Sequence, residues 1–138
     1  SEASDLDPGD SNGERDIFWA DLGADLALYG PREFRRGSDV VFDIYAAASG
    51  EQVFVLASSA GLGNGARVPQ LGGLQIDLLN PVRELGSATA DSTGESIFTA
   101  RVPTTAPLDL AHVQAVIRRG TGGADSVKSN TVTGEIVP

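Results

Sequence analysis

Apolar and polar residues alternate with period two through most of this chain, the pattern of strands that bury one face. From Phe18 the alternation is unbroken: Phe18, Ala20, Leu22, Ala24, Leu26 and Leu28 share one face, and Asp21, Gly23, Asp25 and Tyr29 the other, which predicts a long first strand. Gly30-Pro31 ends it, and the basic stretch Arg32, Arg35, Arg36 leads through Gly37 into a second strand over residues 39–48. Residues 52–59 (QVFVLASS) are apolar on both faces at their centre, as in a central strand covered on both sides.

Further strands are predicted at residues 74–79, 82–89, 96–102, 112–118 and 131–137. Turn chemistry separates them: Asn80-Pro81, the hairpin-like Asp91-Ser-Thr-Gly94, prolines at 103 and 107, and a loop over 120–130. About eight short strands at this spacing predict an all-β fold, a two-sheet antiparallel β-sandwich with an N-terminal strand extension. The organisation expected is an acidic leader and first strand over residues 1–29, able to act between subunits, and a sandwich over 30–138.

The chain's 138 residues suffice for one core. Its 17 glycines fit many turns, and no apolar run approaches the roughly 18 residues of a membrane span. It has neither cysteine nor methionine, so disulfides, thiolate metal sites and cysteine nucleophiles are excluded, and Ser1 reads as a processed N-terminus. Of the net charge of −9, residues 1–25 carry −7, eight acids against Arg15. An acidic balance with scattered basic residues argues against a nucleic-acid partner and for cations.

Acidic residues and an asparagine recur at nearly alternate positions in residues 5–16 (DLDPGDSNGERD), and calcium takes about six to eight hard oxygens on a flexible turn. Asp5, Asp7, Asp10, Asn12 and Glu14 are the candidate ligands, although Gly9 stands where an EF-hand loop needs a third ligand. The competing reading is a solvated acidic leader. A segment of this composition is ordered only when a metal ion, its own domain or a neighbouring molecule holds it.

Several fragments recur together in one order: residues 53–56 (VFVL), 72–81 (GGLQIDLLNP), 85–94 (LGSATADSTG), 113–116 (VQAV) and Ser129-Asn130. As an ordered set over about residues 38–138, they resemble a β-sandwich module of secreted and surface proteins of myxobacteria and planctomycetes. That module is similar in architecture to immunoglobulin-like domains, and the resemblance implies an extracellular or cell-surface location and a non-enzymatic role.

Catalytic patterns are thin. Residues 61–65 (GLGNG) lack the spacing and lysine of a nucleotide loop, and His112, the single histidine, heads an apolar strand with no nucleophile or base assigned to it. Asp43 and Asp77 lie in predicted strands, and two carboxylates suffice for glycoside hydrolysis. Trp19, between Phe18 and Ala20 where the leader becomes a strand, has two readings: core packing, or a plug that completes a neighbour's sheet by strand addition. The expectation is a non-catalytic subunit of an extracellular homopolymer, a filament or pilus-like fibre, joined through Phe18, Trp19, Ala20, Leu22, Ala24, Leu26 and Leu28. The alternative is a monomeric surface module, an adhesin or calcium-dependent carbohydrate binder.

Overall fold

A computed structural model describes residues 26–138, and these form an all-β fold whose only helical pieces are two single 3-10 turns. Ten strands occur among the described residues: β1 (Ala27–Tyr29), β2 (Glu33–Arg35), β3 (Asp39–Tyr45), β4 (Gln52–Ser58), β5 (Arg67–Val68), β6 (Leu74–Gln75), β7 (Val82–Thr89), β8 (Ser96–Arg101), β9 (Leu110–Ile117) and β10 (Val127–Val137). They make a three-stranded sheet, β1-β3-β8, a five-stranded sheet, β2-β10-β9-β4-β7, and the small β5-β6 pair.

Alternation along β3 shows why these residues form strands. Val40, Phe42 and Ile44 are buried, while Asp39, Val41, Asp43 and Tyr45 face out. The five-stranded sheet answers with Phe34, Val53, Val55, Val113, Ala115 and Ile117, and both sets belong to one core cluster. Its centre is aromatic: Phe42 meets Phe34 edge to face at 5.9 Å and stacks on Phe98 at 6.5 Å. Two glycines make the room. A Cβ at Gly134 would strike the Phe34 ring, and one at Gly30 would lie 2.6 Å from Phe42.

Three expectations are corrected. The larger sheet is mixed rather than antiparallel, because β2 lies parallel to the end of β10, Phe34 opposite Ile136. After Gly30-Pro31 the chain leaves the smaller sheet and resumes beside β10, a change of partner that three-residue strands do not announce. Of the long first strand, Ala27–Tyr29 is a strand paired with β3, and residues 18–25 lie outside the described residues. The loop expected up to residue 130 is partly strand, since β10 starts at Val127 and its register shifts between Lys128 and Thr131. That irregularity conceals the period: the Ser129 hydroxyl accepts from Ala115 N–H, and the Asn130 side chain takes Leu28 N–H on its Oδ1 and donates Nδ2–H to Leu28 O. Finally, residues 74–79 pair as a strand only at Leu74–Gln75. Beyond that point their backbone bonds go to the glycine loop, Gly63 N–H to Asp77 O and Leu79 N–H to Gly61 O.

Residues 59–81 thus form a cover over the outer face of the larger sheet. Leu71, Ile76 and Leu78 make a second cluster with Val116, against Phe54 and Leu56 of β4. The apolar centre of β4 is explained by this, for each of its faces has its own core. Among the described residues, no helix is long and apolar enough to cross a membrane.

Two measurements check this account. Leu28 is fully buried at the junction of β1, β3 and β10, so Leu28→Ala is expected to cost about 3 kcal/mol in urea unfolding through the cavity it leaves. The Arg119 guanidinium grips Glu51 with two bonds of 2.6 and 2.7 Å, and this, offset in part by burial, holds the Glu51 carboxyl below its ordinary 4.5. A depressed carboxyl stabilises the fold above its unfolded pKa and loses that contribution as pH falls through the folded value. Stability should therefore decline on acidification below about pH 4.5, and Glu51→Gln should flatten that limb while lowering stability at pH 7.

Candidate docking groove

Strand directions give the body two different ends. At one, the turns over residues 46–51 and 90–95 are tied by Ala47 N–H to Gly94 O and Ala90 N–H to Glu51 O. At the other, β4 ends and β7 and β9 begin, with Ser58 opposite both Val82 and His112, and β3 begins opposite the end of β8, Asp39 beside Arg101. The first is a turn end. The second is an open end, and here a groove of about 530 Å³ enters the molecule between the two sheets.

Its existence follows from strand count. At about 4.8 Å between neighbours, the three-stranded sheet is roughly 10 Å narrower than the five-stranded one. Among the described residues β7 and β8 are edge strands of different sheets, joined through the Asp91–Gly94 turn. Near that turn Phe98 of β8 packs on Gly86 of β7, and the groove opens beyond it, lined by Val82, Arg83 and Leu85 on one side and Ala100, Arg101 and Val102 on the other. Phe34, Phe42 and Val113 of the core lie at its floor, and Leu85 of β7 faces Ala100 of β8 across its walls. The remaining wall is the Pro103–Pro107 loop, which Arg36 pins by donating from Nε and Nη2 to Ala106 O. Charged lining residues are Arg83, Arg101 and Asp109, with Arg101 also 3.6 Å from Asp39 in an exposed pair.

Among the described residues, β8 pairs on one side only, with β3. Val102 donates N–H to Ser38 O and accepts from Gly37 N–H, so both its main-chain groups face β3. In an antiparallel ladder the facing alternates, and Ile97, Thr99 and Arg101 therefore direct theirs away from β3. The chain enters β1 at the other end: Leu26 precedes Ala27, which is opposite Tyr45 at the turn end.

Of the residues proposed to join subunits, Leu26 and Leu28 are packed in the chain's own core, whereas Phe18, Trp19, Ala20, Leu22 and Ala24 lie outside the described residues. So do the calcium candidates Asp5, Asp7, Asp10, Asn12 and Glu14; among the described residues, no group of three or more metal-ligating side chains is assembled. His112 is buried in β9, its Nδ1 2.8 Å from the Thr133 hydroxyl. Asp43 and Asp77 cannot act as a pair. The first lies on the outer face of the smaller sheet and the second on the outer face of the larger, with the core between them.

Asp77 belongs to a polar constellation that motif reading missed. Gln114, fully buried, donates to Asp77 Oδ2 at 2.8 Å and Ser129 O at 2.7 Å and accepts from Asp77 N–H, while Lys128 Nζ sits 2.9 Å from Asp77 Oδ1. Burial pushes the Asp77 carboxyl up, but the bonds from Lys128 and Gln114 outweigh it and hold the carboxyl below its ordinary 3.8. Every polar atom here is satisfied within the protein, which marks a clasp fastening the cover to β9 and β10. A second missed feature is the outer face of the smaller sheet. There Tyr29 and Tyr45 meet edge to face at 5.6 Å beside Asp43 and Ile97, and the Glu95 carboxylate, above all, pushes the Tyr45 hydroxyl above 10.0.

No family model matches the chain, and no curated protein is significantly similar to it.

The clasp reading is checked by Gln114→Leu. It leaves Asp77 N–H and Ser129 O without partners, a loss of about 2 kcal/mol expected in denaturant titration.

Proposed function

We propose that this protein is a non-catalytic structural subunit of an extracellular homopolymeric filament, whose copies join by N-terminal strand addition onto an immunoglobulin-like β-sandwich. One observation carries the reading: the chain enters β1 at the turn end, and the apolar groove opens at the opposite end. A segment that leaves one end and docks at the other repeats in one direction, and such a head-to-tail contact, when it does not close into a ring, makes a filament. The segment upstream of Leu26 has the required chemistry, with Phe18, Ala20, Leu22 and Ala24 on one face. The sandwich reading draws on two sheets sharing one core and on a first strand that changes sheets at Gly30-Pro31. Export draws on the resemblance of residues 38–138 to secreted surface modules.

A second reading, a monomeric surface-binding module, is favoured by the exposed pair Tyr29 and Tyr45 beside Asp43, since aromatic faces next to carboxylates suit a saccharide. Sedimentation separates the two: a single monomeric species at all concentrations belongs to the binding module, and growth into long particles to the filament.

Leu22→Asp tests the joining segment, because a carboxylate on its apolar face costs several kcal/mol once buried. The native chain is expected to form filaments in negative-stain micrographs and the variant none, while circular dichroism and melting temperature of the subunit stay unchanged. Leu26→Asp serves as the contrast, for Leu26 is buried in the chain's own core and its loss should unfold the subunit.

A further inference from the structure

We infer that the groove beside β8 receives residues 17–24 of a second copy of this chain, which add to the smaller sheet as a fourth strand running parallel to β8. This rests on the reading that copies join through the N-terminal segment, and it specifies where that segment docks and in which direction.

Direction follows from the two ends. The joining segment leads into Leu26 at the turn end of its own subunit, and that end faces the open end of the acceptor. Its C-terminal residues therefore lie at the groove mouth and its N-terminal residues reach deeper, towards the acceptor's turn end. β8 runs the same way, from Ser96 at the turn end to Arg101 at the open end. Lengths agree: residues 18–24 extend about 23 Å and the six residues of β8 about 20 Å.

Side-chain chemistry selects the same direction. Phe18, Ala20, Leu22 and Ala24 would continue the inward row of Phe98, Ala100 and Val102, the last two of which line the groove. On the outer row, a parallel strand sets Ile17 and Trp19 beside Ile97, whose side chain is exposed at 59%, and brings Asp21 and Asp25 towards Arg101. The antiparallel arrangement would put carboxylates beside Ile97 and the tryptophan beside Arg101. The main-chain groups that Ile97, Thr99 and Arg101 turn away from β3 supply the hydrogen bonds of the added strand.

The absence of cysteine makes a direct test possible, since introduced thiols are the only ones present. Gly23→Cys is combined, in separate full-length chains, with Ile97→Cys, Thr99→Cys or Arg101→Cys, all on outward-facing positions, and oxidised products are read on non-reducing gels beside negative-stain micrographs. Neighbouring strands bring Cα atoms within disulfide range. The expected result is a ladder of covalent multimers through position 99 or 101 and none through 97. A ladder through 97 alone overturns the parallel direction. A covalently closed monomer overturns the second-copy occupant, because the chain's own segment then fills the groove. Filaments with no disulfide at any of the three positions overturn the groove while the homopolymer reading stands, and a folded chain that forms neither filaments nor multimers overturns both.

Discussion

A five-stranded sheet with an apolar inner face needs cover across its full width, and three strands give only part of it. Most features of this molecule answer that mismatch. On one flank, β1 is too short to close the gap by itself, and the Asn130 side chain bridges it to β10 by bonding both main-chain groups of Leu28. On the other flank, nothing comparable lies beyond β8 among the described residues, and Phe34 and Phe42 of the aromatic centre line the groove. Such an edge is a hazard unless it has an occupant, because unpaired backbone above apolar side chains invites unspecific pairing.

The outer face of the larger sheet is handled differently. There the chain itself provides the cover, residues 59–81, and the polar groups this buries are satisfied in full: Gln114 serves Asp77 and Ser129, and Lys128 serves Asp77 and Gln75 O. Buried polar groups are costly when unpaired and specifying when paired, so this clasp fixes one position for a cover that has little regular structure. The contrast between a sealed outer face and an open inner flank argues that the groove is a built feature rather than loose packing. Its loop wall is likewise pinned, by Arg36 on Ala106 O.

How much of this could be read from the residues follows from how each feature is encoded. The strands of the core announce themselves by period two, β3 and β4 most clearly, and β4 also declared its two covered faces through Phe54 and Leu56. Partnership is not written in a period. Nothing along residues 33–35 distinguishes a parallel neighbour from an antiparallel one, and nothing along β8 says that β3 is its one partner among the described residues. The start of β10 was hidden because Ser129 and Asn130 use their side chains on the backbone of β9 and β1, which gives a strand the look of a turn. Leu26 and Leu28 were legible as buried, but alternation cannot say whose core buries them.

That last ambiguity has a physical resolution. Phe18–Leu28 reads as one strand, yet its final part pairs with β3 at one edge of the smaller sheet, whereas the open groove adjoins β8 at the other edge and the opposite end. The first residues of β1 lie at the turn end, the same end as Ser96 at the start of β8, and β3 stands between the two strands. Leu26 and Leu28 fasten the start of β1 into the chain's own core, and the same apolar alternation runs on through the sequence before them.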